Sequence, residues 1–255
     1  VDRRSALSAE KPDVASTHRR ERILRLLIGA GSADFATKRL CAVCAEVTGM
    51  SGAGIMLMSG DVPKGSLCTT DGVSALIEQL QYDLGEGPCV DAYSHDRPVL
   101  EPDLGNPSVP RWLAFAGAAT AGGAKAVFGF PLHIGAVRLG ALNLYRDRPG
   151  SLSDEQHADA LVMADVVAQA VLVLQGNAPP GRLAIELQAG ADFQYAVHQA
   201  SGMVAAQLEV SVGQALIRLR AYAFGHDRRL SEVAEDVVAR RLRFDEHSGE
   251  KDLRS

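Results

Sequence analysis

The sequence has no uncharged apolar run long enough to cross a bilayer. Leu113 to Ala124 is 12 residues rich in Gly and Ala, and no uncharged run exceeds 16 residues, against the roughly 18 that a spanning helix needs. No membrane association is expected. There is no positive excess either: 26 Lys and Arg stand against 31 Asp and Glu, a formal net charge of −5. That excludes a basic coat that would grip nucleic acid anywhere, although a local basic patch stays open. Residues 1–22 carry scattered charges and no apolar core, so no secretory signal is expected and a cytoplasmic location is. Catalytic motifs are missing as well. The chain contains no Gly-x-x-x-x-Gly-Lys-Ser/Thr, no Gly-x-Gly-x-x-Gly opening a helix, no Gly-x-Ser-x-Gly and, among its seven histidines, no His-Glu-x-x-His. It therefore offers no phosphate cradle, nucleophile elbow or zincin site. Cysteine is scarce, with four residues, and in a cytoplasmic protein these read as reduced thiols. Cys41-x-x-Cys44 sits within helical apolar spacing and has no second ligand pair, so it reads as core, not as a metal or redox site. Cys89 follows a Gly-rich turn, where a helix N-terminus would lower its pKa.

What is present is a composition that folds. Of 255 residues, 47% are hydrophobic and 22% charged, near globular averages and sufficient for one or two domains. The clearest boundary is Gly176-Asn177-Ala178-Pro179-Pro180-Gly181, where paired prolines between glycines stop any helix. The chain accordingly divides into a flexible N-terminus over 1–17, a first domain over 18–175, a linker over 176–181, a helical module over 182–243 and a flexible tail over 244–255.

The first domain mixes helices with strands, an α+β class. Helical spacing marks 23–28, 35–47, 73–84 and 112–121, while 53–58, 66–70, 99–101, 126–134 and 137–145 read as strands. Turns are expected at 61–65 and at Gly135-Ala136. Ser153 with Gln156 forms a capping box that opens a long helix to Gln175. Beyond the linker the pattern is helical only. An apolar face runs from Leu183 to Leu208, Ser211 with Gln214 caps a second helix with Val212, Leu216, Leu219 and Ala223 inward, and Ser231 is expected to cap a third with Val233, Val237, Val238 and Leu242 inward.

Gly85-Glu86-Gly87-Pro88-Cys89, Arg97-Pro98-Val99, Phe130-Pro131-Leu132 and Gly140-Ala141-Leu142-Asn143-Leu144-Tyr145 resemble a GAF domain. The resemblance implies an antiparallel sheet flanked by helices, with a small-molecule pocket in many members. Its cover would be 73–84 and 112–123, and Phe128, Phe130, Leu142 and Trp112 would line it. The ligand or cofactor is unknown. The second region, about 185–243, resembles the ANTAR family of RNA-binding antitermination modules through Gln199-Ala200-Ser201-Gly202, Leu208 with Ser211, Leu219-Arg220-Ala221-Tyr222-Ala223, and Arg229-Leu230 followed by Val233-Ala234-Glu235. Ser201 stands where that family commonly has Lys, which removes one cationic contact.

Residues 182–243 carry 8 basic and 7 acidic side chains, a net of +1, while the rest of the chain carries −6. Phosphates attract clustered guanidinium groups, and loop bases stack on Arg planes or Tyr rings. Gln199, Ser201, Gly202, Arg220, Tyr222, Arg228 and Arg229 are the candidate RNA contacts. The expectation is a signal-responsive antitermination regulator, not an enzyme and without a metal, whose module holds nascent transcript hairpins. The apolar face of 183–208 exceeds what three helices need, so a homodimer is expected. Two alternatives stand beside this. Duplex DNA recognition by 230–242 is disfavoured by Glu232, Glu235 and Asp236 on that helix, and a thiol-based methionine sulfoxide reductase, known within the GAF fold, leaves the helical module unexplained.

Overall fold

A computed structural model describes residues 14–28, 33–59, 62–107, 109–176 and 195–245. The expectations for 1–13, for 177–181 of the linker, for the apolar face over 183–194 and for 246–255 lie outside the described residues. In chain order the elements are α1 (Val14–Ile28), α2 (Ala33–Thr48), β1 (Gly52–Ser59), β2 (Val62–Thr69), α3 (Gly72–Leu84), α4 (Pro88–His95), β3 (Val99–Glu101), α5 (Leu113–Ala121), β4 (Ala126–Ile134), β5 (Val137–Arg146) and α6 (Asp154–Gly176). They are followed by α7 (Tyr195–Leu208), α8 (Val212–Gly225) and α9 (Leu230–Val238).

The five strands form one sheet in the order β2-β1-β5-β4-β3, every neighbouring pair antiparallel. Because side chains alternate across a strand, the sheet has two apolar faces, each covered separately. Ile55, Leu57, Phe128, Phe130, Leu132, Leu142 and Leu144 pack with α1, α2 and α6. Val127 and Tyr145 face the other way, into a cluster with Ile77, Ala92, Trp112 and Phe115 from α3, α4 and α5. The second face also carries Met56, which joins Tyr82 of α3 in the core of the helical module.

Local chemistry accounts for most of the boundaries. Ser153 and Gln156 cap α6 reciprocally, as do Ser211 and Gln214 at α8, each pair satisfying backbone donors that the first turn leaves free. Asp71 and Ser74 do the same for α3. On the first face, Asp159 of α6 accepts from both Arg19 and Arg22 and pins α1 in place. By length and apolarity α6 is one helix that could cross a membrane, but its Met163, Val166, Val167 and Val171 are core of the first face.

Several expectations are corrected. β2 begins at Val62, inside the turn placed at 61–65, with Pro63 and Gly65 in the strand where the ladder register shifts. As an edge strand, β2 tolerates a proline that has no N–H to donate. Ser231 does not cap the third helix; Arg229 holds the cap position, without a side-chain bond. Val212 points to solvent, not inward, since it precedes the apolar stripe by one turn at the helix start. Helix α1 reaches back to Val14, inside the stretch expected to be flexible. Phe244, expected in the tail, is buried against Tyr222, and its N–H donates to Gln207 Oε1. Finally, Cys41 is disulfide-bonded to Cys68, with Cα atoms 6.0 Å apart. The packing of α2 over β2 brings the two within bridging distance, which sequence separation does not reveal.

Gly129 of β4 sets how closely α4 approaches the sheet, because a Cβ there would lie 2.4 Å from the Pro88 carbonyl oxygen. Backbone cannot yield as a flexible side chain can. Gly129→Ala is therefore expected to destabilise the protein by about 1–3 kcal/mol, the usual range for overpacking, read as a lower denaturant midpoint at unchanged m-value; a midpoint equal to the parent's would show that α4 can move off the sheet.

Candidate functional site

The segment Gly85-Glu86-Gly87-Pro88-Cys89 is a junction of three helices. Gly85, at φ +68°, closes α3 in the left-handed region that glycine enters freely, and its N–H donates to the Gln81 carbonyl. Glu86 Oε1 accepts the N–H groups of Ala114 and Phe115, both at 2.9 Å, so it caps α5 from a distance and its charge meets the positive end of that helix. Gly87, at φ +133°, leaves room for the Gln81 side chain, whose Oε1 accepts the Cys89 N–H at 2.7 Å. Pro88 occupies the first turn of α4, where no N–H is needed.

On the inner side of α3, Glu78 lies over the sheet, 3% exposed, in space left by Gly54. Its Oε1 accepts from Asn143 Nδ2 at 2.5 Å. Burial pushes its carboxyl up to about 8, against smaller opposing effects of Asn143 and Ser66. Glu78 Oε2, Asn143 Oδ1, Gln81 Nε2 and the Tyr82 hydroxyl oxygen are buried without a hydrogen-bond partner. The outer side of α3 meets the helical module: Arg220 Nε and Nη2 both donate to the Tyr82 carbonyl oxygen, at 3.0 and 2.6 Å. Burial lowers the Arg220 pKa, opposed by Tyr82 and Asp83.

The residues predicted to line a ligand pocket do not come together. Phe128, Phe130 and Leu142 lie on the face packed by α2 and α6, whereas Trp112 lies on the opposite face with Phe115 and donates its indole N–H to Asp91. The strand parity decides this: odd-numbered residues of β4 and β5, not even ones, look toward α3 and α5. Asn143 and Glu78 were overlooked, and the signal was available, since Asn143 is a polar residue inside an apolar strand.

The candidate RNA contacts are distributed unevenly. Gln199, Gly202 and Arg229 are exposed. Ser201 is 1% exposed and donates to the Val197 carbonyl, so it presents nothing to a ligand. Arg228 pairs with Asp236 at 2.7 Å, and Tyr222 stacks on His226 with ring centroids 3.9 Å apart. Arg220 is occupied by the first domain.

Cysteine chemistry finds little support. Cys44 and Cys89 are free but buried, and burial raises both thiol pKa values, that of Cys89 further through Glu78. The expected lowering at the N-terminus of α4 is thus overridden by desolvation, and the thiolate is the form that reacts.

Two outcomes follow. Glu78 holds its proton in the folded state at pH values where the unfolded chain, titrating near 4.5, has lost it. The folded state then binds more protons, so stability falls as pH rises from about 4.5 to about 8. Glu78→Gln should flatten that decline in denaturation measured across the window, and an unchanged slope would place the dependence elsewhere. Cys89→Ser is expected to lose about 1–3 kcal/mol of stability through a buried hydroxyl, without creating or removing thiol-dependent reduction of free methionine sulfoxide; a turnover that Cys89→Ser abolished would reverse the reading of this thiol.

Comparison with known proteins places this geometry. Residues 33–172 match the family described as GAF domain. No curated protein matches the chain. Solved structures similar to it include the GAF domain of a phosphoenolpyruvate-protein phosphotransferase from Coxiella burnetii, at 14% identity and TM-score 0.48, covering 63% of this chain and 95% of that one. A domain of a putative two-component sensor histidine kinase protein from Sinorhizobium meliloti 1021 is similar at 14% identity and TM-score 0.43, covering 56% and 93%. A type II free methionine-R-sulfoxide reductase from Thermoplasma acidophilum is similar at 18% identity and TM-score 0.42, covering 53% and 92%. At these identities and scores the neighbours carry no argument about chemistry. The family match spans more than half of the chain, over the residues that build the antiparallel sheet and most of its helical layers, and the chain belongs to the GAF domain family.

Proposed function

We propose that this chain is a signal-responsive transcription antitermination regulator that binds RNA hairpins through α7, α8 and α9 under control of its GAF domain. The observation that carries the control is the Arg220 contact: the guanidinium best placed by the ANTAR-like motif is held on the carbonyl of Tyr82. Helix α3 therefore belongs to the sensor and to the module at once. A signal that moves α3 changes how much Arg220 is available, which is a shift between two populations of the same arginine.

RNA, not duplex DNA, suits the module's surface. Arg218, Arg229, Arg240 and Arg243 are exposed, and the Tyr222 ring, stacked on His226, offers a planar neighbour for an unpaired base. Helix α9 exposes Glu232 and Glu235, which repel the phosphates that a recognition helix must approach. The long apolar face read from the sequence over 183–208 would pair two copies of the chain, which would then serve two hairpins. The reductase alternative is disfavoured because each cysteine is either bridged or buried with a raised pKa.

Filter binding at fixed salt tests this. Tandem RNA hairpins are expected to bind more tightly than random duplex DNA, and Arg229→Ala should weaken hairpin binding by about 1–3 kcal/mol, the range for a lost charged contact. Gly85→Ala tests the control separately, because its Cβ would lie 2.4 Å from Arg220 Nη1 and displace that flexible side chain. Hairpin affinity should rise by roughly threefold or more as Arg220 is released. Equal or tighter binding to duplex DNA would overturn the RNA reading, and unchanged affinity in Gly85→Ala would overturn the control.

A further inference from the structure

Three of the large apolar side chains that the described residues leave exposed meet in one groove, although they come from two domains. Leu113 opens α5 at 84% exposure, and Ile217 and Phe224 lie two helical turns apart on α8 at 62% and 68%. With Leu84, Ala114 and Ala221 they line a cavity of about 530 Å³ between the GAF domain and the helical module. That volume lies within the range of small-molecule sites, and an apolar wall with few oriented polar groups is their usual composition.

The polar groups of the groove specify a charge. Glu86 Oε1 is occupied by two N–H groups of α5, and burial raises the pKa of the Asp83 carboxyl, against opposing effects of Gln79, Arg220 and Arg229. Arg220 is different. Its Nε and Nη2 are engaged by Tyr82, while Nη1 sits over Gly85, in the space that a Cβ would take, at the wall of the groove. The group available to a molecule in the groove is thus a guanidinium edge, which favours an anion and pairs best with a flat oxyanion head.

We propose that this groove is a binding site for a small amphipathic anion, its apolar body against Leu113, Ile217 and Phe224 and its carboxylate-like head on Arg220 Nη1. The site is separate from the space between the sheet and α3 and α5, which Glu78, Ile77, Phe115 and Tyr145 fill. It does not depend on RNA being the module's ligand. Since its walls come from both domains, an occupant is held by both at once and fixes their relative position.

The test uses the full chain with 8-anilinonaphthalene-1-sulfonate, an apolar ring system with one anionic head. The parent is expected to bind one equivalent with a dissociation constant on the order of tens of micromolar. Ile217→Glu and Ile217→Asn change an exposed residue and leave the core intact; they should weaken binding by roughly tenfold. Val137→Glu, at an exposed apolar position on the β4–β5 hairpin, should not change it. The uncharged N-phenyl-1-naphthylamine should bind about tenfold more weakly than the sulfonate, as loss of an ionic contact requires. Parent-like affinity in both Ile217 variants would overturn the site. Equal affinity for the two dyes would overturn the anionic head. A parent that sediments as a dimer and an Ile217→Glu variant that sediments as a monomer would also overturn it, because a second copy would then occupy the groove.

Discussion

Helix α3 is packed on two sides, and the rest of the arrangement follows from satisfying both. Its inner side must cover a sheet face that carries Asn143, and it does so with Glu78, a carboxyl that remains protonated because water is excluded. Its outer side gives Tyr82 to the core of the helical module and the Tyr82 carbonyl to Arg220. A helix end leaves carbonyl groups without intrahelical partners. Near the end of α3 an arginine from a different domain supplies donors to one of them. The same side chain is thereby withdrawn from solvent.

The Gly-Glu-Gly-Pro-Cys segment shows why such a junction is written in so few residue types. Three helix ends converge within five residues, and each has backbone donors or acceptors to place. Two glycines adopt positive φ, one long acid reaches the start of α5, Gln81 reaches the start of α4, and proline enters the helix where it gives up no bond. The motif that carries the family resemblance is therefore structural: it positions helices and leaves binding chemistry to the surfaces around it. Those surfaces, the buried Glu78 cluster on one side and the apolar groove at Arg220 on the other, are connected through one rigid helix.

Much of the fold was legible in the sequence. Alternating apolar residues marked β4 and β5 and their two-residue turn, and the Ser153–Gln156 and Ser211–Gln214 pairs marked the starts of α6 and α8 within a residue, because a capping bond is made between residues three apart. Element boundaries failed where the deciding contact was distant. Pro63 sits in a strand because β2 has no outer neighbour, and Ser231 lies inside a helix that starts one residue earlier.

The candidate site was legible only in part. Composition, spacing and local capping determined the mixture of helices and antiparallel strands, the β4–β5 hairpin and the capped starts of α6 and α8, since all of these depend on residues near one another along the chain. Tertiary structure alone decided which sheet face Phe128 and Leu142 occupy, that Cys41 reaches Cys68, that Ser201 is buried, and that Arg220 rests on α3. Each of these is set by contacts between segments far apart in sequence. Parity along a strand says that two faces differ, but not which helices cover them.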